Sequence, residues 1–260
     1  MLIVISPAKS LDKNAEPKSD VYTMPDYMLE SERIVRKMKK CKPVDLQALM
    51  GVSYKLAHEN YDRYQAWSLP FTLENSRQAV LFFKGDVYLG MKVESFSEDD
   101  YEFAQKHLRI LSGLYGILRP MDLIQPYRLE MGTNISVLKS KNLYEYWTKN
   151  ITNAINKQLE ANSSEVLINL ASNEYFKSID QSKLTAKIIT PEFKDRKNGH
   201  YKMVSFFAKK ARGMMTRYII QNRISDPEQL KLFNEDGYSY NEQLSKEDKL
   251  VFTREELKVI

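Results

Sequence analysis

Two apolar runs constrain this chain most: LIVIS at 2–6 and VLINLA at 166–171. Runs of this length without polar alternation read as strands covered on both faces, which places them inside a sheet flanked by helices. Both end in polar clusters, Ser6-Pro7-Ala8-Lys9-Ser10 and Asn169-Leu170-Ala171-Ser172-Asn173-Glu174. Strand ends that feed helix N-termini are where open α/β sheets bind ligands, and Ser172 is placed to cap such a helix.

Helical patterns surround these strands. Periodicity predicts helices at 26–40, at 43–50 after Pro43, and from Ser53 to about 67. Ser97 with Asp100 forms a capping-box pattern ahead of a helix over 97–111, and 142–161 and 206–221 complete the set. A further apolar run lies at 79–83. Residues 187–207 read as two strands joined at Asn198-Gly199, a strong hairpin signal, and a weaker strand–helix–strand tail follows. Alternating helices and strands with one clear hairpin argue against a purely parallel sheet. The expected fold is mixed α/β (α+β), a mixed β-sheet surrounded by helices, in a single domain over residues 1–260.

Of the 260 residues, 43% are hydrophobic and 28% charged, ample for a real core, and nine Gly and nine Pro leave little room for long linkers. No segment approaches the roughly 18 apolar residues of a membrane helix, and the opening run is too short for a signal sequence. The single cysteine, Cys41, excludes an internal disulfide and suits a reducing cytoplasm. Its KKCKP setting reads either as a thiol whose pKa neighbouring lysines lower or as a tolerated cysteine on a basic helix end.

The formal charge of +5 hides an uneven distribution. Six Lys or Arg and no acid lie between Arg33 and Lys42; from Thr190 to Arg223 there are nine against two acids, and from Ile224 onward five against nine. The three histidines are scattered, so no zinc spacing exists. GxxxxGK[ST], GxGxxG and GxSxG are also absent. The sequence therefore calls for no metal and no cofactor, and no catalytic residue can be named.

Three constellations remain. ALMGVSYKLA (48–57) places a tight turn between two predicted helices, so this segment, about 43–67, reads either as an ordinary αα-hairpin or as a helix–hairpin–helix. In the second reading Gly51, Val52 and Ser53 aim helix-start amides at a DNA phosphate, with Lys55 as a second contact. The helix FFAKKARGMMTRYIIQ separates Lys209, Lys210, Arg212, Gly213, Thr216 and Arg217 from an apolar arc, so that Lys209, Lys210, Arg212 and Arg217 form a candidate phosphate-binding face. Gly213 within that face implies close approach of a ligand or of another backbone. The third is LSGLYGILRPMDLIQPYRLEMG, where charges sit among apolar residues. It reads either as a buried ion network or as part of a pocket. That pocket would gather Lys9, Lys84, Asp86, Arg119, Asp122 and Arg128 with Asn169, Ser172 and Glu174 from the strand ends. The acids Glu98, Asp99 and Asp100 are explained by their place in a helix first turn.

ISPAKSL, FKGDVY, LSGLYGILRPMDLIQPYRLEMG, NLASNEYFK and SFFAKKARGMM, in this order, resemble the bacterial peroxide-stress YaaA family across essentially the whole chain. The resemblance implies a cytoplasmic protein of the response to hydrogen peroxide that limits free iron and its oxidative damage. It also implies a helix–hairpin–helix and a positively charged groove for double-stranded DNA, including bent or bubble-containing duplexes. No established reaction comes with it. The expectation is a monomeric DNA-binding protein with little sequence preference. The alternative is an enzyme acting on a nucleotide or nucleic-acid base through the charged pocket.

Overall fold

The two apolar runs lie side by side at the centre of a mixed sheet in the computed structural model, which describes residues 1–12, 14–17 and 20–256. Among the described residues this sheet has eight strands: Leu2–Ile5 (β1), Leu108–Ser112 (β2), Gly116–Leu118 (β3), Val166–Leu170 (β4), Lys187–Lys197 (β5), His200–Lys202 (β6), Ser239–Tyr240 (β7) and Lys249–Arg254 (β8). The order is β7-β8-β5-β4-β1-β2-β3, with β6 paired to β5. β2, β1, β4, β5 and β8 run parallel, while β3, β6 and β7 are antiparallel to their neighbours. Ile3 sits in register between Leu108 and Ile168, and all three are fully buried.

The helices used below are Met28–Met38 (α1), Pro43–Met50 (α2), Tyr54–Ala66 (α3), Asp86–Met91 (α4), Glu98–His107 (α5), Leu143–Ala161 (α6) and Ser205–Gln221 (α7). Their starts follow the expected chemistry. Asp45 accepts from the Lys42 amide at 2.8 Å behind Pro43. Ser97 and Asp100 exchange hydrogen bonds at 3.0 and 3.2 Å, and Asn142 caps α6 through the Glu145 amide. Asp100 is also held by Arg223 at 2.6 Å, so the buried acid of this turn is taken up by structural contacts.

Two elements depart from the expected pattern. The helix expected through residue 111 stops at His107, because Leu108–Ser112 is a fully buried strand between β1 and β3. Its apolar run is continuous with the helical pattern before it, and only tertiary burial separates the two. The run at 79–83 instead forms a one-turn helix, Ala79–Phe82, between two-residue strands.

α4 and α7 cross at backbone contact. A Cβ on Gly213 would lie 1.8 Å from the Val87 carbonyl oxygen, and one on Gly90 would lie 2.0 Å from that of Lys210. The glycine in α7 therefore answers to another backbone.

The outer half of the sheet is pinned by a buried charge network. Arg254 bonds Asp195 through Nε at 2.8 Å and approaches Asp236 through Nη1 at 2.9 Å. Tyr238 donates its hydroxyl to Asp195 at 3.0 Å, and the guanidinium lies 4.4 and 4.6 Å from the ring centres of Phe207 and Tyr238.

His107 Nδ1 lies 2.8 Å from the Met1 carbonyl oxygen, which can only accept, so Nδ1 carries the proton. Burial lowers the pKa of this ring, outweighing the Met1 hydrogen bond. The unfolded chain then binds this proton more readily. The contribution of His107 is intact above its ordinary pKa near 6.5 and is lost as pH falls below it. Urea midpoints measured from pH 7.5 to 5 should fall less steeply for His107→Asn than for the parent chain; identical profiles would assign the acid sensitivity to other groups.

Candidate functional site

The chain leaves β1 toward β2 and β3, then returns through α6 to β4 on the other side of β1. The carboxyl ends of β1 and β4 thus border a switch point, the position at which open α/β sheets bind ligands. Ser6 and Ser172 face each other across it: the Ser172 amide donates to Ser6 Oγ at 2.9 Å, and Ser6 Oγ donates to Ser172 Oγ at 3.3 Å. Ser172, expected to cap a helix, makes no side-chain cap to the one-turn helix Asn173–Phe176, because its hydroxyl is used across the crevice.

Around this bridge stand three buried tyrosines. Tyr88 donates to the Ser6 carbonyl at 3.2 Å, and the Tyr127 hydroxyl lies 2.6 Å from Ser112 Oγ at the end of β2. Burial raises the Tyr175 hydroxyl well above its ordinary value, with Tyr127, Glu174 and Glu130 adding to the effect. Burial also raises Tyr88, with smaller contributions from Tyr127 and Tyr175. Burial raises Tyr127 as well, so all three phenols are neutral at physiological pH.

The charged members form a chain along the rim. Lys9 Nζ lies 2.6 Å from Glu130 Oε2, and Arg128 Nη2 lies 3.1 Å from Glu130 Oε1. Arg128 Nε is buried without a hydrogen-bond partner among the described residues. Glu174 is oriented by the Gly132 amide, which donates to Oε1 at 3.0 Å. Asn169 turns inward, accepting from the Ala171 amide at 3.1 Å and donating to Thr190 Oγ1 at 3.4 Å. Lys84 pairs with Asp12 at 3.1 Å. The short ladder of Ser10–Leu11 with Phe83–Lys84 brings Lys84 and the start of α4, with Asp86, beside the loop after β1.

Of the residues expected to share a pocket, two lie apart from the rest. Arg119 and Asp122 follow β3, which runs antiparallel to β2, so they lie at the opposite edge of the sheet. There Arg119 Nε bonds Asp122 at 3.0 Å, Arg119 Nη2 reaches Asp26 at 3.1 Å, and Thr23 donates to Asp122 at 2.5 Å. This pair is an ion network that staples loops. Tyr88, Tyr127 and Tyr175 were not singled out from the sequence. Each lies within two residues of a charged residue that was: Asp86, Arg128 and Glu174.

α2 and α3 pack as a pair joined by Gly51–Ser53. Gly51 has φ 61° and ψ 41°, the left-handed conformation of a helix C-cap, and a Cβ there would meet nothing within 4 Å. Ser53 accepts from the Leu56 amide at 3.3 Å. The Tyr54 and Lys55 amides have no acceptor among the described residues, and the Lys55 side chain is exposed. Ala57, by contrast, is fully buried. On the preceding turn, burial and Asp45 raise the Cys41 thiol pKa despite Lys37, which favours the tolerated cysteine over the lysine-activated thiol.

α7 does not present the cationic face that its periodicity predicts. Arg217 bonds Glu235 and donates to the Gly90 carbonyl at 3.2 Å, while Lys210 lies 3.4 Å from Asp236. Burial lowers the Arg212 pKa, opposed by Glu192. Thr216 and Gly213 are buried, leaving Lys209 as the exposed cation of the four. The acidic segment after α7 supplies the counter-charges, Glu235 and Asp236.

Residues 1–244 match the family model described as peroxide stress protein YaaA. The chain belongs to this family. A UPF0246 protein of Aliivibrio fischeri (strain MJ11) is 53% identical over 256 residues, covering 98% of this chain and 99% of that protein. Membership in the YaaA family supports a role in oxidative stress. No helix among the described residues is long and apolar enough to cross a membrane.

Proposed function

We propose that this YaaA-family chain is a cytoplasmic DNA-binding protein of the peroxide response. In this reading it binds duplex or distorted DNA with little sequence preference and limits iron-dependent oxidative damage. The observation that carries the reading is the α2–α3 tip, taken as a helix–hairpin–helix. A left-handed glycine, two unpaired helix-start amides and an exposed lysine point outward, with no side chain shielding Gly51. Amides at a helix start, with the positive end of its dipole, favour a phosphate. Ser53, standing where a second glycine is usual, uses its side chain on Leu56 and leaves the Tyr54 and Lys55 amides available.

Backbone contacts of this kind predict salt-dependent, sequence-tolerant binding. Fluorescence anisotropy with perfect and bubble-containing duplexes tests it. Gly51→Asp places a carboxylate at the phosphate position and should weaken binding about tenfold or more, by loss of the amide contact and by repulsion. Lys55→Ala should reduce the salt slope by about one. Lys209→Ala combined with Lys210→Ala should change that slope by no more than about one, because Lys210 is already paired. Undiminished binding by Gly51→Asp would remove the hairpin from the interface.

A further inference from the structure

The groups at the switch point carry hydrogen-bonding capacity that the fold does not use. Glu174 Oε1 is held by the Gly132 amide, whereas Oε2 has no partner among the described residues. Arg128 Nε is buried and has no hydrogen-bond partner among the described residues. The Lys9 side chain is 61% exposed, and among the described residues its ammonium meets Glu130 alone. The Ser6–Ser172 hydroxyl bridge that closes the crevice is long, at 3.3 Å, and can be exchanged for a ligand. Behind these groups the rings of Phe83, Tyr88 and Tyr127 are buried against one another, Phe83 standing 5.4 and 6.3 Å from the two tyrosines, centre to centre, and they form a rigid floor.

A fixed carboxylate oxygen wants an N–H edge, and an exposed ammonium beside a guanidinium wants an anion. A nucleotide carries both. We propose that the crevice between β1 and β4 binds a single nucleotide unit, with its phosphate on Lys9 and Arg128 and the N–H edge of its base on Glu174. A carboxylate accepts best from adjacent parallel donors, so guanine, with its N1–H and N2–H₂ edge, is the preferred base. Thymine, with one N–H between two carbonyls, is the poorest. This site is distinct from the hairpin and does not depend on it for binding.

Isothermal titration and saturation-transfer NMR with dGMP, TMP, deoxyguanosine and inorganic phosphate test the assignment. dGMP should bind at least tenfold more tightly than TMP or phosphate. Glu174→Gln still accepts from Gly132 but loses its charge, and it should erase the preference for dGMP over TMP. Lys9→Ala alters a mostly exposed residue; it should weaken both nucleotides several-fold while leaving deoxyguanosine unchanged. Equal binding of dGMP and TMP by the parent chain, or an intact preference in Glu174→Gln, would overturn the proposal. So would phosphate binding as tight as dGMP. Gly51→Asp should retain dGMP binding, which separates failure of this site from failure of the hairpin.

Discussion

Arg254→Met should be among the most destabilising single changes in the protein, lowering unfolding free energy by about 3–5 kcal/mol. Arg254 is only 4% exposed, and its guanidinium is the cation that compensates the buried carboxylate of Asp195. Methionine keeps much of the packing against Phe207 and Tyr238 but leaves Asp195 with the Tyr238 hydroxyl as its remaining donor. An uncompensated buried charge, more than the lost contact, sets this cost. The companion change Asp195→Leu in the same chain should therefore recover a substantial part of the loss, because replacing both members of a buried pair is often close to neutral. Urea denaturation at pH 7 reads both variants. A loss below about 1 kcal/mol for the single variant would mean that Asp195 finds another partner or water.

Gly213→Ala tests the helix crossing, and here the sign of the effect is the informative quantity. On a solvated helix face the change would stabilise by about 1 kcal/mol, since alanine is the better helix former. At this crossing the new methyl would fall 1.8 Å from the Val87 carbonyl and 2.8 Å from the Met91 amide, both backbone atoms that cannot rotate away. α4 and α7 would have to move apart, at the upper end of the overpacking range, about 3 kcal/mol. Tyr88 belongs to α4, so nucleotide binding in the crevice should weaken in the same variant even where the chain still folds. A gain in stability would place Gly213 in solvent after all.

Most of the central sheet and its helices was legible in the sequence because local signals agreed with the final environment. LIVIS and VLINLA read as buried strands, Asn198-Gly199 as a hairpin turn, and Pro43, Ser53, Ser97 and Asn142 as helix starts. Leu108–Ser112 was not legible. Its apolar residues continue the phase of α5, and only β1 on one side and β3 on the other make them a strand. The site was legible by residue type but not by location. Lys9, Arg128, Ser172 and Glu174 meet because three strand ends converge, whereas Arg119 and Asp122 sit in the same central stretch as Arg128 yet fall at the far edge. For α7, the hydrophobic arc was identified correctly, but the opposite face also packs, against α4 and the acidic segment that follows. A helical projection shows only one helix at a time.

The position of β8 has a bearing on biosynthesis. Residues 249–254 insert between β5 and β7, so β5 has one long side unpaired until a segment some fifty residues downstream arrives. At typical translation rates of about 5–20 residues per second, that interval lasts several seconds. Throughout it, Phe193 and the carboxylate of Asp195 lack the strand and the guanidinium that cover them in the finished sheet. The nascent chain therefore passes through a stage with an open, partly apolar sheet edge, the state in which a chaperone or a second nascent chain has its best opportunity to bind.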